Sequence, residues 1–292
     1  MTSLINLFIE PFADYDFMRF ALASVLFLAL GTAPVGVFLM MRRMSLIGDA
    51  LGHAILPGAA VGYMIAGLSL PAMSIGGFIA GLLMALLAGL ASRLANVKED
   101  ASFAAFFLTC LALGVVLVSK SGNNVDLLNL LFGSILAVDQ IALTLVAAVS
   151  SITLIILALI YRPLLLESID PLFLRSVRGK GGLWHIIFLV LVVLNLVAGF
   201  QALGTLMSVG LMMLPAISAR LWAKTMGGII TLAAFIAMFC GYTGLLLSYY
   251  YDLPSGPAII LCCGGFYLLS LFIGYENGIL PRLYKRHRHL TV

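Results

Sequence analysis

Between Arg42 and Gly58 the chain reads Arg-Arg-Met-Ser-Leu-Ile-Gly-Asp-Ala-Leu-Gly-His-Ala-Ile-Leu-Pro-Gly, which sets an acid and an imidazole inside an otherwise apolar run. On a helix, Asp49 and His53 stand four residues apart, so they share one face, one turn above the other. A carboxylate and an imidazole in that arrangement form a two-ligand site for a divalent cation. Pro57 adds a third donor. It lacks an N–H and its ring displaces the carbonyl four residues earlier, which belongs to His53. One face thus offers a carboxylate oxygen, an imidazole nitrogen and a freed backbone oxygen. The plainer alternative is an Asp capping a helix start and a His bonded to a neighbour.

The surroundings weigh on that choice. Of 292 residues 63% are hydrophobic and only 10% charged, with a mean hydropathy of +1.16. Soluble domains carry about 25% charged residues. The composition reads as an all-α polytopic membrane protein, and 1–292 reads as a single transmembrane domain with no soluble domain between the spans. An Asp at the centre of such a helix costs roughly 2.5–3.5 kcal/mol on insertion scales, and such groups face a bundle interior or a wet path. Membrane context therefore favours chemistry at Asp49 and His53. Cys110, Cys240, Cys262 and Cys263 lie in apolar runs without a C-x-x-C pair, which argues against a zinc knuckle or a disulfide framework. The net charge of +4 comes with no basic patch interleaved with aromatics, so nucleic acid is not an expected partner.

The elements that must position the pair follow from the apolar runs. Residues 2–18 mix apolar side chains with Glu10, Asp14 and Asp16, as in an interfacial segment rather than a signal peptide. Spans are expected at about 20–41, from Asp49 and His53 to about Leu70, at 71–91, 101–119 and 141–160, with a partial or re-entrant helix at 127–138. Gly58-Ala-Ala-Val-Gly62 and Gly77-Phe-Ile-Ala-Gly81 are small-xxx-small faces suited to close helix packing. A polar interruption at 161–182 follows. Within it Asp170-Pro171 reads as an N-cap with proline at the first helical position and Gly179 as a stop, giving a helix of about two turns. Phe173, Leu174 and Val177 give it an apolar side and Arg175 and Arg178 place it in the cytoplasm, as a surface loop helix or a docking helix for a partner.

From Ile186 to Ala219 no charge occurs, a stretch too long for one crossing and short for two at about 20 residues each. One limb is therefore expected to be broken, with Gln201, Gly204 and Pro215 as candidates. Two last spans, about 226–250 and 257–275, lead to a basic tail over 276–292. With Arg42 and Arg43 in the cytoplasm and spans alternating, 14 of the 16 Lys and Arg residues fall inside and only Arg19 and Lys120 outside. The expected bundle has about eight or nine crossings with one broken or re-entrant hairpin, its N-terminus outside and its C-terminus cytoplasmic. Glu10, Asp14, Asp16, Asp126, Asp139 and Asp252 would then form an acidic outer mouth.

No G-x-x-x-x-G-K-[ST], H-E-x-x-H or G-x-S-x-G motif is present, so the chain is expected to be no enzyme and any nucleotide engine to be another polypeptide.

Arg43-Met44-Ser45-Leu46, Gly48-Asp49-Ala50, His53-Ala54 and Leu56-Pro57-Gly58 together resemble a signature of the metal-cation (manganese/zinc/iron) family of ABC transporter permeases. Leu131-Phe132-Gly133, Ile135 to Val138, Gly204-Thr205-Leu206 and Leu214-Pro215-Ala216 agree with it, and the resemblance spans the chain. It implies a plasma-membrane (inner-membrane) permease that pairs with a second copy of itself, docks ABC ATPase subunits and receives its ion from an extracytoplasmic metal-binding protein. It also implies that Asp49 and His53 serve the cation site and that residues 170–179 form the ATPase-coupling helix. The chain departs from the family pattern at Ser134, Leu174 and Arg178. The expected activity is ATP-driven import of Mn2+ or Zn2+, carried transiently with no permanent cofactor, since a carboxylate suits one metal and an imidazole the other. The rival is a proton-coupled secondary metal carrier, which inverted repeats would betray, and no second Asp-x-x-x-His helix occurs. A cobalamin- or siderophore-type permease would need a wide path without ligands.

Overall fold

A computed structural model describes residues 8, 10–67, 69–95, 99–120, 140–169, 181–276 and 278–280. Among them nine helices of 16 residues or more follow one another: α1 (Asp16–Met41), α2 (Ser45–Ala66), α3 (Leu70–Leu94), α4 (Glu99–Lys120), α5 (Gln140–Ile169), α6 (Gly181–Leu203), α7 (Thr205–Arg220), α8 (Met226–Tyr251) and α9 (Ser255–Ile273). Helices are what an apolar solvent dictates, because each backbone N–H and C=O must find its partner within the segment. Six of these helices are long and apolar enough to cross a membrane.

Two apolar clusters share the interior. One joins α1, α2, α3, α5 and α6 through Phe38, Leu51, Ile55, Met84, Leu164 and Phe188. The other joins α1, α7, α8 and α9 through Val25, Leu211, Ile236 and Ile259. Helix α1 belongs to both, and an unbroken buried run from Gly31 to Met40 shows that it is enclosed all round. Cys240 and Cys263 are buried and Cys110 and Cys262 half-buried, all four as free thiols, in keeping with small core residues.

The uncharged stretch breaks at Gly204, between α6 and α7. Its φ of 90° and ψ of 162° are open to glycine and strained for any side chain. Gln201 lies in α6, and Pro215 lies inside α7 without ending it. A second difference concerns the polar interruption expected to begin at Tyr161. Helix α5 instead runs on to Ile169 with Pro163 inside it. Tyr161 sets its ring edge against Phe38 at 6.0 Å, Leu164 is fully buried and Glu167 finds a buried cation, so packing outweighs polarity there. The expected partial helix at 127–138 lies outside the described residues.

Candidate metal site

Helix α2 packs against the core, α7, α3 and α4, and leaves only part of its Asp49 side open. Toward the core it presents Ile47, Leu51, Ala54 and Ile55, all buried, at the spacing of one helical face. Toward α7, a methyl group on Gly52 would come within 2.9 Å of Val209 Cγ2, and one on Gly48 within 2.8 Å of Met213 Cε. Toward α3, Gly58 and Gly76 meet so closely that a Cβ on either would strike the other's carbonyl oxygen, and one on Gly62 would lie 2.5 Å from the Ala72 carbonyl. The small-xxx-small pattern at 58–62 thus serves a close helix crossing. Gly77 and Gly81 pack instead against Ile55 and Val193 side chains.

On the remaining side stand Asp49 and His53. His53 Nε2 lies 3.7 Å from Asp49 Oδ1, too long for a hydrogen bond and close enough for both to face one ion. The Asp49 side chain is 57% exposed in the single chain and His53 27%, so the carboxylate meets the surroundings while the ring is half-sheltered. Phe107 of α4 covers that ring, with centroids 5.4 Å apart and planes tilted by 60°. Nδ1 of His53 is buried with no hydrogen-bond partner. Pro57 sits one turn further on, buried within α2. The capping alternative for Asp49 does not hold, since α2 begins four residues earlier at Ser45.

Among the described residues no third His, Cys, Asp or Glu joins the pair. A groove of about 650 Å3 runs along α2, α3 and α4 past Pro57, and apart from the Cys110 thiol its walls are hydrocarbon, so it offers no ligand to a hard cation. Gly204 is buried at the α6–α7 junction, and Pro215 lies on the α7 helix that backs α2. Neither contributes a polar side chain to the Asp49 face. The expected coupling residues Asp170, Pro171, Phe173, Leu174, Arg175, Val177, Arg178 and Gly179 lie outside the described residues.

One polar cluster was not legible as such in the sequence. Arg42, read there only as a marker of the cytoplasmic side, buries its side chain at the C-terminal end of α1. Nη2 donates to Glu167 Oε2 at 2.8 Å, Nε donates to Ser168 Oγ at 3.0 Å, and Nη1 lies 2.8 Å from His185 Nδ1. The guanidinium carbon lies 5.0 Å from the centre of the Phe188 ring. These partners come from α5 and α6, 125 to 146 positions away in the chain. No local spacing could have joined them.

Comparison with known proteins decides the family. The sequence model of the ABC 3 transport family matches residues 14–274. The chain belongs to the ABC 3 transport family. Relatives of full length agree: a protein named manganese transport system membrane protein MntC from Halalkalibacterium halodurans is 31% identical over 98% of this chain and 97% of its own length. One named manganese import system permease protein ScaB from Streptococcus gordonii is 30% identical over 97% of this chain and 100% of its own. Among solved structures, PsaBC from Streptococcus pneumoniae in complex with Fab superposes with a TM-score of 0.84 at 29% identity, over 97% of this chain and 99% of that one. A metal-chelate type ABC transporter in an inward-facing conformation shares the fold at a TM-score of 0.70 and 16% identity. Membership in the ABC 3 family bears out the resemblance carried by the Arg43–Gly58 motif. It also removes the proton-coupled carrier. With six helices able to cross, this ABC 3 member is a multi-pass permease of the plasma membrane.

Proposed function

We propose that the chain is the membrane-spanning subunit of an ATP-driven importer of divalent metal ions, and that Asp49 and His53 are the groups the ion meets on its way through. The observation that carries this reading is the outward pair itself: a carboxylate and an imidazole one turn apart, with 3.7 Å between them and an unpartnered Nδ1 behind. An ion at this face would meet the Asp49 carboxylate and His53 Nε2, while Nδ1 lies on the buried side of the ring. Relatives named for manganese favour Mn2+ over Zn2+ as the cargo.

Two ligands are too few for a divalent ion, which takes four or more. A second copy of the chain presenting the same face doubles the set, and the exposure of Asp49 in the single chain supports such a face-to-face pairing. A site of one carboxylate and one imidazole per copy binds loosely, as a conduit must in order to release its ion. ABC ATPase subunits on the cytoplasmic side supply the energy, and an extracytoplasmic metal-binding protein delivers the ion. The charge bias that puts Arg42 and Arg43 inside leaves the exposed acids Glu10, Asp14, Asp16 and Asp252 on the delivery side, where they favour an approaching cation weakly. Residues 170–179, between α5 and α6, are the ATPase-coupling segment in this reading.

The test is Mn2+ uptake by the complete transporter carrying Asp49→Ala or His53→Ala. Uptake should fall to background in each while the permease still inserts and pairs. Normal uptake in both variants would remove the proposed site.

A further inference from the structure

Three features of the Arg42 cluster set it apart from an ordinary ion pair. The first is burial: the Arg42 side chain is only 7% exposed and that of Glu167 14%, so the pair is shielded from water and salt. The second is reach. Glu167 and Ser168 are among the last residues of α5, and His185 and Phe188 stand in the first two turns of α6. One guanidinium therefore ties together both helix ends that flank residues 170–180.

The third is what Arg42 is attached to. The α1–α2 turn is fixed by its own backbone: Met44 N–H donates to the Leu39 carbonyl at 2.9 Å and Arg43 N–H to the Met40 carbonyl at 3.1 Å, with Arg43 at a φ of +59°. That is a Schellman closure with an arginine where glycine is usual. Helix α2 then starts at Ser45, and Asp49 follows within its second turn. Between the buried guanidinium and the carboxylate there is no flexible link, only a locked turn and the helix.

We propose that Arg42 is a positioning residue that joins the ends of α5 and α6 to the root of α2, so that displacement of those two helix ends is passed to the face bearing Asp49 and His53. This rests on the import reading above, in which residues 170–179 meet the ATPase. A planar fork with several fixed donors suits such a joint, because it holds two helix ends in a set geometry where a lysine would hold one point. Glu167 neutralises the charge, and Phe188 closes over the guanidinium.

The test uses the complete transporter in lipid vesicles, with Arg42→Gln, Arg42→Lys and Glu167→Gln. Mn2+ delivered per ATP hydrolysed is the readout, since a role in folding alone would lower the amount of transporter and leave that ratio unchanged. The ratio should drop at least tenfold in Arg42→Gln, with Arg42→Lys intermediate and ATP hydrolysis continuing. A wild-type ratio in Arg42→Gln would overturn the proposal. Nitroxide distance distributions on the isolated full-length permease, labelled at Leu166 and Leu183 or at Arg43 and Leu183, give a second readout independent of cargo. All three label positions are on exposed side chains. Arg42→Gln or, should it fail to assemble, Glu167→Gln should broaden both distributions, and unchanged widths would overturn the joint even where uptake is lost. If the unaltered complex moves no metal under ATP, the import reading fails, while the distance widths still decide for or against the joint.

Discussion

The outward face of α2 and the joint at its root are both polar sites in an apolar bundle, and they are built in opposite ways. At the joint each of the three guanidinium nitrogens has a partner at 3.0 Å or less, from two other helices, and the Arg42 side chain is mostly buried. On the face the two side chains come from one helix, stand 3.7 Å apart and leave a ring nitrogen without a partner. Satisfied polar networks hold a geometry, whereas exposed groups not bonded to one another can take up a ligand. The contrast suits the first to positioning and leaves the second open for the ion contact proposed above.

That contrast can be broken in four ways. The largest effect is expected on transport at the face: Asp49→Ala should bring Mn2+ uptake in vesicles to background while the unfolding midpoint barely moves, because exposed substitutions change stability by about 0.5 kcal/mol or less. A large loss of stability there would mean that Asp49 holds the fold. At the joint the effect falls on stability. Arg42→Ala leaves Glu167 buried and unpaired and should cost about 3–5 kcal/mol, read as a lowered unfolding midpoint in detergent. Next comes Gly76→Ala at the α2–α3 crossing, where the new methyl meets the Gly58 carbonyl; overpacking of this kind costs about 1–3 kcal/mol. It should lower stability and uptake together without touching a ligand. The smallest effect is expected from Arg43→Gly. A left-handed arginine is strained by about 1–2 kcal/mol, glycine relieves that, and its greater freedom in the unfolded chain offsets part of the gain. The midpoint should rise slightly or stay level, and a marked fall would show that the Arg43 side chain holds the turn.

The two regions were also unequally legible in the sequence. Asp49 and His53 stand four apart on one helix, so their shared face follows from helical periodicity alone. Gly204 was readable as a break because the uncharged stretch had the wrong length for whole crossings, although Gln201 and Pro215 looked equally able to supply it. The polar interruption expected to begin at Tyr161 misled as well, since α5 runs on past Pro163. There α5 continues through the ring because Tyr161, Leu164 and Glu167 find partners on other helices, and contacts of that range leave no local pattern. Arg42 was counted for its charge and side of the membrane, and only the packing of α1 against α5 and α6 reveals what its guanidinium does.

The central claim is that a divalent ion meets Asp49 and His53 from two facing copies of the chain. Anomalous scattering at the manganese edge, from crystals of the complete transporter grown with Mn2+, tests it most directly. The account predicts a peak between the two α2 helices, bonded to the Asp49 carboxylates and His53 rings. A manganese peak elsewhere in the membrane, with those side chains turned toward lipid, would contradict it.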